Sequence, residues 1–174
     1  MALTADVTLD NIYGAIAAYL TSVTGLSGTQ IQRAYQDNIP TPFPYPFVYI
    51  TVRNNRRNAT NEHAYDTTNN KVGISASKIL DVQLDFYGQT AMNLAQIVEN
   101  TFRDDAGVTA FKNTGIVPLY CDEALMSANT DEKGNFMVRV TQTLHFNMHP
   151  VVSTAQDFFE AAVVNIKNAE QQGD

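Results

Sequence analysis

A single cysteine, no tryptophan and few basic residues mark this chain: 11 Lys and Arg stand against 18 Asp and Glu in 174 positions. Cys121 alone cannot close an internal disulfide, so nothing in the sequence suggests a covalently stapled fold. The formal net charge of -7 disfavours a sequence-independent grip on nucleic acid, which needs clustered Lys and Arg to displace counterions from phosphates. No stretch approaches the roughly 18 consecutive apolar residues of a membrane span. The first ten residues, MALTADVTLD, lack the basic start and apolar run of a secretory signal. Together these absences predict a soluble chain of intracellular origin that does not enter a membrane. Phosphate-binding glycine loops, dinucleotide fingerprints, zinc-ligand clusters and nucleophile elbows are also missing, which weighs against an enzyme and implies no cofactor or metal. Internal repeats, low-complexity segments and a second composition regime are absent too, so residues 1–174 are read as a single domain. A chain of this length can bury about 70% of the surface that its unfolded form exposes.

What is present centres on 78–104, KILDVQLDFYGQTAMNLAQIVENTFRD. Leu80, Val82, Leu84 and Phe86 alternate with Ile79, Asp81, Gln83, Asp85 and Tyr87, the period of a strand with one buried and one wet face. Gly88 breaks the strand and Thr90 is placed to cap a helix whose Ala91, Leu94, Ala95, Val98 and Phe102 recur at helical spacing. A strand with a helix laid back over it is the nucleus of an α+β layer.

Around this unit, Thr8 caps a first helix with Asp10 in its first turn and an apolar stripe from Leu9 to Val23, ending before Gly25. Residues 30–36 suggest a short strand. In NIPTPFPYP (38–46), prolines at every second residue hold the backbone extended. The segment FVYITVR (47–53) then reads as an interior strand pairing with 78–87. Residues 54–77, rich in Asn, Thr and charge, read as a long loop, either disordered or an arm that binds something. NNRRN (54–58) is its only dense basic spot. After an irregular turn at 107–115, Pro118 within IVPLYC (116–121) suggests an edge strand or a bulge. Residues 119–128 and 135–147 read as an antiparallel hairpin around a turn at 131–134. On its second strand Phe136, Val138, Val140, Leu144, Phe146 and Met148 share one face, and Arg139, Thr141, Thr143, His145 and Asn147 the other. Ser153 and Gln156 read as a capping box opening a last helix at 153–170, with Phe158, Phe159, Ala162, Val163 and Ile166 as its stripe. The expected architecture is thus α+β, a mainly antiparallel sheet of four to five strands flanked by helices in the order α-β-β-α-β-β-α.

Few residues point to chemistry. His145 and His149 have the four-residue spacing that binds zinc on a helix, but on a strand their Cα atoms would stand about 13 Å apart. With His63 they read as solvated or hydrogen-bonded histidines. Asp122 and Glu123 beside Cys121 oppose thiolate formation, so this cysteine reads as a neutral thiol. Asp81, Gln83 and Asp85 form an acidic row, read as a solvated or interfacial sheet face. Asp104 and Asp105 fall at a helix C-terminus, where negative charge is mildly unfavourable and suggests a cationic neighbour.

Three segments carry a resemblance: QRAYQDNIPTPFPYPFVYI (32–50), LDVQLDFYGQTAMNLAQIVENTFRD (80–104) and VRVTQTLHFNMH (138–149). With the order of elements across nearly the whole chain, they resemble the terminator proteins of tailed bacteriophages, which cap the tail tube at the neck. The resemblance implies a non-enzymatic virion component of the tail or neck, assembled in the bacterial cytoplasm as a ring of six copies. Its implied partners are the tail tube protein, the head-side connector or stopper, and the sheath where a tail has one. The genome would cross the central hole without specific binding, and an acidic lumen would keep it from sticking. Expected interface residues are Arg53, Arg56, Arg57, Asp81, Gln83, Asp85, Asp104, Asp105, Arg139, Phe158 and Phe159. Two other classes remain compatible with the residues: another virion joining protein, such as a tube or connector subunit, and a small intracellular enzyme or ligand-binding domain.

Overall fold

The computed structural model describes residues 5–35, 45–130 and 136–156; of 128–130 and 136 it describes the backbone. It begins with helix α1, Leu9–Thr24, opened by a reciprocal cap in which the Asn11 amide donates to Thr8 Oγ1 and the Thr8 amide donates to Asn11 Oδ1. Gly25 ends it in the left-handed conformation at φ 72°, where a side chain would be strained. The strands that follow are β1 (Ile31–Arg33), β2 (Phe47–Arg57), β3 (Glu62–Asp66), β4 (Lys71–Ser75) and β5 (Lys78–Tyr87). Helices α2 (Ala91–Thr101) and α3 (Asp105–Ala110) come next, then β6 (Ile116–Cys121), β7 (Leu125–Thr130), β8 (Phe136–Met148) and β9 (Val151–Ala155).

Two sheets result, and the fold is α+β. The larger runs β1-β2-β5-β8-β6, with β7 also pairing β8. Every pairing in it is antiparallel except β1 with β2. The alternation of β5 does what its sequence requires: Leu80, Val82, Leu84 and Phe86 are buried, and α2 lays Leu94, Ala95 and Val98 over the same face. Tyr19 of α1 joins Phe102, Phe111 and Phe146 in a set of tilted and edge-on ring contacts that seals the helical layer to the sheet. Burying each such side chain contributes roughly 2–3 kcal/mol. Gly107 permits the tight step from α2 into α3, since a Cβ there would lie 2.2 Å from the Phe102 carbonyl oxygen.

The structure departs from the sequence reading in several places. The 54–77 segment is not a loop. β2 continues to Arg57 because β5 offers it a partner as far down as Lys78, and β3 and β4 form an antiparallel hairpin beyond it. The Ser153 and Gln156 pair does not open a helix either. Residues 151–155 form β9 against β4, giving a second sheet in the order β3-β4-β9, and Phe158 and Phe159 lie outside the described residues. The described strands therefore exceed the expected four to five. The 107–115 turn is in its first part helix α3, so Asp104 is an N-cap residue and Asp105 lies in a first turn, where negative charge is favourable. The expected hairpin partner of β8 is split into β6 and β7, both pairing with β8, while the 131–134 turn lies outside the described residues. Pro118 does sit on an edge strand, next to a register shift that leaves Leu119 unmatched. Of the four prolines in 38–46, only Pro46 falls within the described residues. No described helix is long and apolar enough to cross a membrane.

Candidate functional site

The face of the large sheet turned away from the helices gathers most of the charged residues singled out in the sequence. Register sets the rows. Tyr49, Asp85, Thr141 and Leu125 align across β2, β5, β8 and β7; Asn54, Asp81, His145 and Tyr120 align across β2, β5, β8 and β6.

Asp85 is the hub of the first row and is only 5% exposed. Its Oδ1 accepts from Arg139 Nε at 3.0 Å and Nη2 at 2.9 Å and from Thr141 Oγ1 at 2.7 Å, while Oδ2 accepts from Gln83 Nε2 at 2.7 Å. Burial alone would lower the pKa of the Arg139 guanidinium, but the hydrogen bond and charge of Asp85 outweigh it and raise that pKa. Burial likewise raises the Tyr87 phenol, a rise that the Arg139 charge partly offsets, and raises the Tyr49 phenol. Arg53, Asp85, Tyr87 and Arg139 line one open groove of about 270 Å³.

The second row is centred on His145. Its Nδ1 lies 2.7 Å from Asp81 Oδ1, and its ring stacks on Tyr120 at 4.3 Å between centroids. Nε2 approaches Asp122 Oδ2 at 3.2 Å, yet off hydrogen-bond geometry, so the buried nitrogen stays without a hydrogen-bond partner. Arg56 Nη2 reaches the other Asp81 oxygen at 3.4 Å.

The acidic row is therefore not a bare solvated one. Gln83 and Asp85 are buried, and the two carboxylates are paired with Arg139, Arg56 and the His145 imidazole, because β2 and β8 flank β5 on both sides. Arg53 is the extra residue at the register shift of β2 between Val52 and Asn54, and Arg57 donates to the Ala59 carbonyl and Asn61 Oδ1. Asp104 and Asp105 belong to the helical layer and are not brought to this face. The sequence reading left out His145, Thr141, Tyr120 and Asp122 as site residues. The first two were detectable, since they alternate in phase with Arg139 on one strand. Cys121 has its thiol pKa raised by burial and by the Glu99 and Asp122 charges, in keeping with a neutral thiol. No group of three or more His, Cys, Asp or Glu able to hold a metal occurs among the described residues.

Comparison with known families matches residues 10–171 to the family described as phage neck terminator protein. The chain belongs to that family. A solved sheath/tube terminator from an extracellular contractile injection system (PVC, extended state) is similar in fold, with a TM-score of 0.50 at 9% identity. The alignment covers 95% of this chain and 65% of that one, so the terminator described here spans just under two thirds of that relative's length. No curated protein matches it in sequence. Family membership makes the chain a phage-like tail terminator, a component of the tail or neck, and suggests a structural rather than an enzymatic role.

Proposed function

We propose that this terminator assembles as a ring, of six copies, on the last ring of tail tube subunits, halts tube growth and offers its other side to the head-side connector. The observation that carries this reading is the family match over residues 10–171. A six-stranded sheet supports it, because its polar face is built from paired charges and could meet neighbouring subunits without large desolvation of bare carboxylates. Arg53, Arg56, Asp81, Gln83, Asp85 and Arg139 belong to this surface in the proposal, Arg57 to the reverse side of the β2 edge, Asp104 and Asp105 to the helical layer, and Phe158 and Phe159 to a further contact. The genome crosses the ring opening without specific binding. Any repulsive lumen must come from other carboxylates of the chain, since Asp81 and Asp85 have cationic partners.

The test is native mass spectrometry and light scattering of the purified chain over a concentration series, with and without tail tube subunits, alongside tube lengths measured by electron microscopy. A closed hexamer, or a monomer that forms rings on tube ends and arrests their growth, is the expected outcome. A monomer indifferent to tubes refutes the proposal, and open-ended polymers identify a tube subunit instead.

A further inference from the structure

The charges on the polar face are ordered by strand. Arg53 and Arg56 stand at the far end of β2, with Arg57 beside them on the reverse side of that strand, Asp81 and Asp85 on β5, Arg139 on β8, and Asp122 and Glu123 between β6 and β7 at the opposite border. Sign alternates across the sheet, so it opens on a cationic border and closes on an anionic one. Inside the sheet each column is matched by its neighbours. At the borders it is not: among the described residues Arg53 and Arg57 have no carboxylate partner, Glu123 has no cationic one, and Asp122 meets only His145.

Both borders also carry backbone without a strand partner, although on β2 the Val52 amide donates to the Tyr13 hydroxyl at 3.4 Å. β1 pairs with β2 only at 48–50 and α1 reaches Val52, so from Arg53 to Arg57 the outer edge of β2 has no described strand partner. On the other side the outer edge of β6 and β7 has none, and it exposes large apolar side chains, Leu125 at 68% and Tyr120 at 47%. An exposed apolar edge of this kind is a template for another strand. Direction fits as well. β2 and β8 run parallel to one another through β5, and β6 and β7 run antiparallel to β8. A second copy placed beside the first with its polar face turned the same way would therefore set its β2 antiparallel to the first copy's β7.

We infer that the partner of the β6–β7 edge is the cationic outer edge of β2 in a second copy of this chain, joined head to tail as an antiparallel continuation of the large sheet. Asp122 and Glu123 then face Arg53, with Arg57 on the reverse side of the same edge, and the alternation of sign continues across the junction. A head-to-tail contact uses two different surfaces, so it builds a ring where the rotation closes. The inference rests on the ring reading above and names the surfaces that would make the ring.

The experiment uses two full-length variants. One carries Arg53→Glu with Arg57→Glu; the other carries Glu123→Lys with Leu125→Lys. All four positions are exposed, and thermal melting of each variant checks that the fold is kept. Each variant alone should lose self-association by on the order of tenfold or more, because like charges then meet at every junction. An equimolar mixture should recover it, since both kinds of alternating junction are again of opposite charge. The parent assembly should also weaken as salt is raised. Folded single variants that assemble like the parent, or a mixture that fails to recover, overturn the proposed pairing while leaving the ring reading standing. A parent chain that forms no ring alone or on tube ends overturns the ring reading itself and this inference with it.

Discussion

Replacing Asp85 with Asn removes one charge from the centre of the polar face while keeping its shape. The parent carboxylate accepts four hydrogen bonds, two from Arg139 and one each from Thr141 and Gln83. In Asp85→Asn the remaining oxygen can still face Arg139 and Thr141, and Gln83 can turn its own oxygen toward the new amide. The loss is then mainly the charge opposite the guanidinium. Removing one partner of a buried ion pair costs about 3–5 kcal/mol. The Arg139 side chain is 30% exposed and can be hydrated in part, so the expected loss is lower, about 2 kcal/mol. With a urea slope of about 2 kcal/mol/M, the unfolding midpoint should fall by about 1 M at unchanged slope. Arg139→Met should cost more, about 3 kcal/mol, because it strands a carboxylate that has little access to water. In the double variant the two losses should fall short of their sum by about 1 kcal/mol or more. A midpoint for Asp85→Asn within about 0.5 kcal/mol of the parent, or strictly additive losses, would falsify the assignment of Asp85 as the hub of this face.

Two further outcomes follow from buried polar groups in the core. Gln142 sits 1% exposed on the helix-facing side of β8 with its Oε1 unpartnered and its Nε2 donating to the Asp122 carbonyl at 3.3 Å. Gln142→Met keeps the volume and removes the orphaned oxygen, so stability should stay level or rise by up to about 1 kcal/mol; a loss above about 1 kcal/mol in the urea titration would show that the oxygen has a partner in solution. Burial pushes the Tyr19 phenol from 10.0 up to about 12, against a smaller opposite effect of its hydrogen bond to Thr101. Between pH 10 and 12 the folded chain keeps a proton that the unfolded chain has released. This stability is therefore whole below pH 10 and is lost as pH rises toward 12, by about 1.4 kcal/mol per unit. Tyr19→Phe should flatten that part of the stability-pH curve relative to the parent, and an unchanged slope would contradict the buried hydroxyl.

Local period was the readable part of the fold. In β5 and β8 a core residue recurs at nearly every second position, in α1 the apolar stripe, the Thr8 cap and Gly25 mark both ends, and in α2 the stripe alone carries the reading, since Thr90 precedes the helix without a side-chain cap bond. The arm could not be read this way. Residues 53–66 are mostly polar and all exposed, with no apolar alternation to announce a strand, and their extended form comes from backbone pairing to β5 and β4. At the C-terminal end two signals competed. Ser153 and Gln156 match a helix cap, but VVSTA is mostly β-branched and β4 supplies a partner at every one of its five residues, so pairing overrode the cap.

For the candidate site the limit was different. Alternation along one strand says which side chains share a face, and by that rule Asp81 and Asp85 stand together, as do Arg139 and His145. It does not say which column lies beside which. The Asp85–Arg139 contact joins residues 54 apart, and only the register of β5 on β8 brings them within reach. Without that register the carboxylates read as a wet acidic row, and with it they become the neutralised middle of a face. Charge that is matched inside the sheet has little left to offer a partner. Charge at the two borders is not matched, and those borders also leave main-chain groups without a described partner strand. The sequence offered the acidic centre and the arginines of 53–57 alike as interface; under the proposed pairing the border arginines are the ones that meet a partner, and Asp122 and Glu123, which the sequence reading did not name as interface, are their counterpart.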